Sequence, residues 1–286
     1  MEPFDPLGPS VLAEWDRFAA QGSTVGIDQW CSRPAWGLAV HRSFAAGDSV
    51  VCVVGESGLG VFGRMIGDDH TPALVPLDRV WGFGSPIVCS PGAAESVVTD
   101  LADQLVADPF WKVCATSGMA VGGELDRAVI RAFGRHVSLF AGETRARCRA
   151  SLEGGVDGYL SRRTREHRRN IRQAERRSNH QGVFFAVDDG HDPTRTISRL
   201  HAVEHRSWKG LEGSGIESPE MASLYDRLVK DLGAMGSLRC VFAQRADENG
   251  DPADIGFILG GVIGGTYRGL QISFDEEFRG NGIGNL

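Results

Sequence analysis

The stretch from residue 238 to residue 284 constrains this chain more than any other. Three strand-like segments follow one another there, at 238–245, 254–263 and 266–274. Asn249-Gly250 and Gly264-Gly265 are the turn signals between them. The third segment runs straight into Phe278-Arg279-Gly280-Asn281-Gly282-Ile283-Gly284-Asn285, which fits the pattern Arg/Gln-x-x-Gly-x-Gly/Ala. A strand feeding such a loop suits a diphosphate. The anion needs several backbone N–H groups at a helix start, where the helix dipole also favours negative charge. Cβ atoms would block that approach, so glycine is required, and Arg279 adds a charge-assisted hydrogen bond. A glycine-rich surface turn has the same local appearance. A dinucleotide loop needs Gly-x-Gly-x-x-Gly, whereas the order here is Gly-x-Gly-x-Gly.

Upstream, a long helix is predicted over 157–179, a strand over 183–187, and helices over 194–208 and 219–232. The first half alternates differently. A helix over 11–20 has Leu12, Trp15 and Phe18 as its apolar stripe. A hairpin is expected at 49–54 and 58–66, a strand at 80–88, and a helix over 93–107 opened by Pro91. Strand, helix and strand follow at 111–116, 124–133 and 137–140. The class is α/β with mixed sheets of α+β type, in two halves that meet near residue 148.

Within 161–177, eight arginines and two glutamates give a local charge of +6, which leaves -13 of the net -7 for the rest of the chain. Arg162, Arg165, Arg169, Arg172 and Arg176 are spaced 3, 4, 3, 4 and share one helix face. Such a face is either a solvated surface balanced by acidic neighbours or a ridge that meets a polyanion.

The element order and the glycine loop resemble the GCN5-related N-acetyltransferase (GNAT) superfamily. The arginine-dense segment from Tyr159 to Arg177 resembles its double-domain branch, which holds BioF2-like acetyltransferases and Fem-type aminoacyl transferases. The resemblance implies tandem GNAT-like domains. Residues 1–148 would be a degenerate first copy and 149–286 the acyltransferase domain, cut short at the loop. It also implies that 266–274 is the fourth GNAT strand and that Arg279, Gly280, Asn281, Gly282, Ile283 and Gly284 hold the coenzyme A diphosphate. Backbone groups of Ile272, Ser273 and Phe274 would meet the pantetheine and the acyl carbonyl. The tyrosine acid of many GNAT enzymes lies beyond this loop and has no counterpart to assign.

The expected activity is acyl-CoA-dependent N-acylation, with acetyl-CoA or another acyl-CoA as donor and an amine of a small molecule or peptide as acceptor. Fem-type transfer from aminoacyl-tRNA is the alternative, and a non-catalytic GNAT-fold binding protein is a third. The arginine face favours tRNA, but the acidic remainder of the chain counts against it. Asp275 and Glu276, beside the loop, are candidate bases for an ammonium acceptor. Tyr267 and Gln271 share one side of their strand, and His205 and Trp208 share one helix, so all four are candidate acceptor contacts, with Tyr267 also a catalytic candidate beside Asp275 and Glu276. Six scattered cysteines without a CxxC pair, and histidines without ligand spacing, predict no metal site and no catalytic thiol. The pI near 5.6 gives no pull towards DNA or anionic membrane. The acidic N-terminus lacks a secretion signal, and the near-apolar stretch 255–265 is too short and glycine-rich to span a bilayer. The expected location is the cytoplasm.

Overall fold

The computed structural model describes residues 7–281 and 284. The chain forms two compact units. One runs to Gly142; the other runs from Glu143 to Val262 and from Tyr267 on, with Ile263–Thr266 grouped with the first. Each unit has its own sheet and covering helices.

In the first unit the order is α1 (Pro9–Ala19), α2 (Gly22–Val25), α3 (Pro34–Phe44), β1 (Val50–Val54), β2 (Gly58–Ile66), β3 (Pro72–Val75), β4 (Ile87–Cys89), α4 (Ala94–Val106), β5 (Val113–Cys114) and α5 (Glu124–Phe133). Strand β2 organises the mixed sheet. It pairs antiparallel with β1 along one edge, and with both β4 and β3 along the other, while β5 joins β3 in parallel. Helix α4 buries Ala94, Val97, Val98, Leu101, Ala102 and Leu105, the 3–4 spacing of a single apolar stripe. That stripe, with Leu125, Val129 and Phe133 of α5, covers Leu59, Val61 and Phe62 of β2.

Three expectations for this unit change, and one helix, α3, was not expected. The strand predicted at 80–88 is only Ile87–Cys89, preceded by a 3-10 turn at Arg79–Trp81. The buried Asp78 carboxylate collects the N–H groups of Phe83 and Gly84, both at 2.8 Å, so they cannot join a ladder. The segment 137–140 forms no strand, and Phe140 lies 92% exposed with nothing to pack on. The strand at 111–116 shrinks to Val113–Cys114. Helix α3 carries a nearly continuous buried run, Trp36 to His41, so it shows no amphipathic period to read.

The second unit runs α6 (Gly155–Ser161), α7 (Arg165–His180), β6 (Phe184–Asp188), α8 (Pro193–Arg206), α9 (Trp208–Leu211), α10 (Pro219–Ala234), β7 (Leu238–Ala246), β8 (Pro252–Ile263) and β9 (Thr266–Phe274). Its sheet has the order β6-β7-β8-β9, and β6, β7 and β8 pair antiparallel. Alternation on β7 buries Leu238, Cys240 and Phe242 on one face. Those residues meet the buried stripe of α10, formed by Leu224, Leu228, Val229 and Leu232.

The predicted helix 157–179 is two helices. Thr164 takes an extended conformation, and its hydroxyl accepts from the His167 N–H at 3.2 Å, which starts α7 afresh. The predicted helix 194–208 likewise stops at Arg206, because Ser207 turns extended and caps α9 through the Gly210 N–H at 3.3 Å.

Phe242 is fully buried, 6.3 Å from the Phe257 ring centroid, with the Arg199 guanidinium 3.6 Å over its face. We predict that Phe242→Ala costs about 3–5 kcal/mol. Chemical denaturation measures it, and a loss under about 1 kcal/mol would show that the second core does not close around this ring.

Candidate functional site

The C-terminal end of β9 is held by side chains from three helices. The Tyr225 hydroxyl of α10 donates to the Leu270 carbonyl at 3.1 Å. The Gln271 amide donates to Glu204 Oε1 of α8 at 3.1 Å. The Lys209 ammonium of α9 donates to the Ile272 carbonyl at 2.7 Å. Three successive residues of one strand are thereby tied to the helical layer.

Glu204 is the unusual member. It is 0% exposed. Its Oε1 accepts from the Ile216 N–H, at 3.1 Å, as well as from Gln271. Its Oε2 is buried and has no hydrogen-bond partner in the protein. A buried carboxylate oxygen without a donor is costly and suits a cationic or proton-donating ligand. Local backbone geometry makes the burial feasible. Gly215 sits at φ +72°, and a Cβ there would collide with Glu204 Oε1. Gly210 lets the start of α9 approach the Glu204 carbonyl, where a Cβ would also collide. The neighbouring Tyr225 phenol is pushed up to about 12, first by burial and then by the negative charge of Glu204, so it stays a donor. Ser273, one residue beyond Ile272, is 3% exposed, and its hydroxyl has no partner.

The chain then turns through a 3-10 segment, Glu276–Asn281. Phe278 pins this turn by packing with Val183, Ala243, Ile255 and Phe274. Gly280 is exposed, and its carbonyl accepts from the Arg177 guanidinium of α7 at 3.5 Å. Gly282, Ile283 and the Asn281 side chain lie outside the described residues; Gly284 is exposed, and a Cβ there would lie 3.2 Å from the Phe274 ring.

The other expected site residues are distributed unevenly. Asp275 is a latch: its Oδ2 accepts from Arg206 at 2.7 Å, its Oδ1 accepts from the Glu277 N–H at 3.1 Å, and its own N–H reaches the Ile255 carbonyl at 2.9 Å. Glu276 pairs with Arg279 at 2.9 Å through Oε1, while Oε2 is buried without a partner. Tyr267 is separated from Ile272 by five residues, about 16 Å along an extended strand, so the two do not serve one reacting atom. His205 points outward, its side chain 80% exposed and 4.0 Å from Glu217. Trp208 opens α9 instead of continuing α8, so it shares no helix face with His205; it is 39% exposed and sits next to Lys209. Gln271 alone of these contacts the buried Glu204. Glu204 itself could have been found in the sequence. It follows Leu200 by four and Val203 by one on the buried stripe of α8, a carboxylate where an apolar residue is expected.

Ile255 is an extra residue on β8, where the pairing with β7 slips between Ala243 and Gln244. Beside it, Asp254 accepts from Arg199 at 2.7 and 2.8 Å and from Gln244 at 2.8 Å, and Arg199 also binds Asp188 at 2.9 Å. Four thiols are inert by burial: Cys52 is raised to about 11, and Cys89, Cys114 and Cys240 to about 12. Among the described residues no group of histidines, cysteines or carboxylates could hold a metal ion, and no helix is long and apolar enough to cross a membrane.

The second sheet thus ends in a turn pinned by Phe278, with a buried carboxylate tied to its last strand. Residues 165–286 match the family model described as an acetyltransferase (GNAT) domain. The crystal structure of FemX superposes with a TM-score of 0.62 over 96% of this chain and 81% of that one, at 11% identity. No curated protein matches. Residues 165–286 are therefore similar to GNAT acetyltransferase domains, and the chain as a whole shares its fold with FemX.

Burial alone would raise the Asp254 carboxyl, but hydrogen bonds from Arg199 and Gln244 outweigh it and hold the group below the ordinary carboxylate value. A carboxyl lowered by folding adds stability above its unfolded value and loses that stability as pH falls through the folded one. The denaturation midpoint should therefore drop as pH falls from about 4, and Asp254→Asn should flatten this drop. An unchanged acid limb in the variant would remove Asp254 from the account.

Proposed function

We propose that the protein is an acyl-CoA-dependent N-acyltransferase that acts on a primary amine of a small molecule or peptide. The observation that carries this reading is the free, buried Oε2 of Glu204, held beside β9 by Gln271 and the Ile216 N–H. The donor diphosphate would bind at the turn of Arg279, Gly280 and Asn281, continuing through Gly282, Ile283 and Gly284. The thioester would then lie along Ile272, Ser273 and Phe274. Backbone N–H groups there polarise its carbonyl as an oxyanion hole does.

The acceptor arrives as an ammonium ion, which Glu204 attracts and from which it takes one proton. The neutral nitrogen attacks the thioester carbon, and a C–N bond forms. The tetrahedral intermediate collapses as the C–S bond breaks, and the electron pair leaves on the coenzyme sulfur. The amine's second proton goes to that thiolate through solvent. Trp208, half exposed beside Lys209, would wall the acceptor. Asp275 and Glu276 support the loop in this scheme, with Asp275 latched by Arg206 and Glu276 by Arg279.

Fem-type aminoacyl transfer from aminoacyl-tRNA is the second reading, favoured by the FemX-like fold and by the arginine face of α7. Acetyl-CoA with a panel of primary amines, followed by release of free coenzyme thiol, tests the first. Glu204→Gln keeps the hydrogen bond from Ile216 but cannot take a proton. It should lower kcat by about 100-fold or more, with coenzyme A affinity unchanged by calorimetry. A variant with full turnover would remove Glu204 from the chemistry.

A further inference from the structure

Three contacts identify what the outer edge of β9 offers a ligand. Strand β9 is the neighbour of β8, and no strand lies beyond it among the described residues. The Asp275 N–H reaches the Ile255 carbonyl of β8 at 2.9 Å, so residue 275 faces β8. Backbone groups alternate between the two edges of a strand along the chain. Gln271 and Ser273 therefore face β8, and Leu270, Ile272 and Phe274 face outwards. The side chains agree with this. The Leu270 carbonyl accepts from Tyr225 at 3.1 Å and the Ile272 carbonyl from Lys209 at 2.7 Å, both on helices rather than on a strand.

The outer edge is thereby left without free acceptors. Its carbonyls at 270 and 272 are taken, and the groups it still presents are the Ile272 and Phe274 N–H donors. Lys209 adds to them. An ammonium has three N–H donors, and Lys209 gives one to Ile272. Among the described residues its ammonium has no other hydrogen bond and no carboxylate partner. Its position is fixed from behind, since the Lys209 carbonyl accepts from the Ser214 N–H at 2.7 Å and the Ser214 hydroxyl at 3.1 Å. An edge made only of donors, one of them cationic, fits an oxygen that gains negative charge.

We propose that Lys209 is a catalytic residue of the acyl transfer, donating a second hydrogen bond to the thioester carbonyl oxygen as it becomes an oxyanion. The inference rests on the acyl-CoA reading and adds a cationic donor to the backbone N–H groups of that strand. As the amine nitrogen attacks, the C–N bond forms and the carbonyl π pair moves onto oxygen, where the ammonium meets it. As the C–S bond breaks, that pair returns to the carbonyl, the C–S pair leaves on sulfur, and Lys209 keeps all its protons. A fixed positive donor holds the oxyanion more strongly than the neutral thioester, so it raises kcat and contributes little to donor binding.

Calorimetry and isotope-edited infrared spectroscopy on the full chain test it. The probes are coenzyme A and acetyl-CoA labelled at the thioester carbonyl, with wild type, Lys209→Met and Lys209→Arg, whose folding circular dichroism checks. In wild type the bound carbonyl stretch should lie below that of free acetyl-CoA. Lys209→Met should lose most of this shift and lower kcat by about 100- to 1,000-fold. Its affinity for coenzyme A, which has no acyl oxygen, should be unchanged, and Lys209→Arg should retain the shift. An unshifted stretch in wild type, a stretch identical in Lys209→Met, or a Lys209→Met protein that also loses coenzyme A affinity would reduce Lys209 to a structural tie on Ile272 while the acyl-CoA reading stands. Failure of wild type to bind acetyl-CoA would end that reading and this proposal with it.

Discussion

Burying the Glu204 carboxylate is the demand that shapes the second unit. A fully buried carboxylate is tolerated only where donors reach it. One comes from the backbone at Ile216 and one from Gln271 on β9. Supplying the first requires the chain to leave α8 abruptly and double back. Ser207 ends the helix and starts α9, and the glycines at 210 and 215 let the returning chain approach without collision. The second donor fixes the rotation of β9, so the same contact that satisfies Glu204 also sets where Leu270 and Ile272 present their carbonyls. Position of the strand and chemistry of the carboxylate are one interaction.

The neighbouring strand β8 depends on charge rather than on packing alone. The extra residue Ile255 bends β8 beside Asp254, and the Arg199 network with Asp188, Asp254 and Gln244 holds that bend. Arg206 bridges the Asp254 carbonyl, at 2.6 Å, and the Asp275 carboxylate, which links the bend to the first residue beyond β9. Phe278 then anchors the turn in an apolar cluster. Two helix-borne arginines and one phenylalanine therefore set the direction in which the chain leaves the sheet after β9.

Much of this was legible in the sequence wherever one period ruled a segment. The strand at 266–274 and the helix at 124–133 match β9 and α5 residue for residue, because turn glycines and a clean 3–4 stripe bound them. The GNAT character of the second half was readable from element order and the loop. Caps defeated the pattern elsewhere: Thr164 and Ser207 each break a helix that polar or mixed sequence would have continued. The site was only partly readable. Gln271 was singled out, but its partner Glu204 was not, although its place on the apolar stripe of α8 was the available signal. Asp275 looked like a free base and is held by Arg206 from 69 residues away, a contact that no local pattern encodes.

The central claim is that acyl transfer occurs at the end of β9, over Glu204. A crystal structure of the protein with bound acetyl-CoA tests it most directly. The account predicts the diphosphate at the Arg279–Gly280 turn, the thioester carbonyl beside the backbone of Ile272, Ser273 and Phe274, and Glu204 Oε2 on the same side of β9 as the acyl carbon. Coenzyme bound elsewhere, or a thioester on the opposite side of β9 from Glu204, would contradict it.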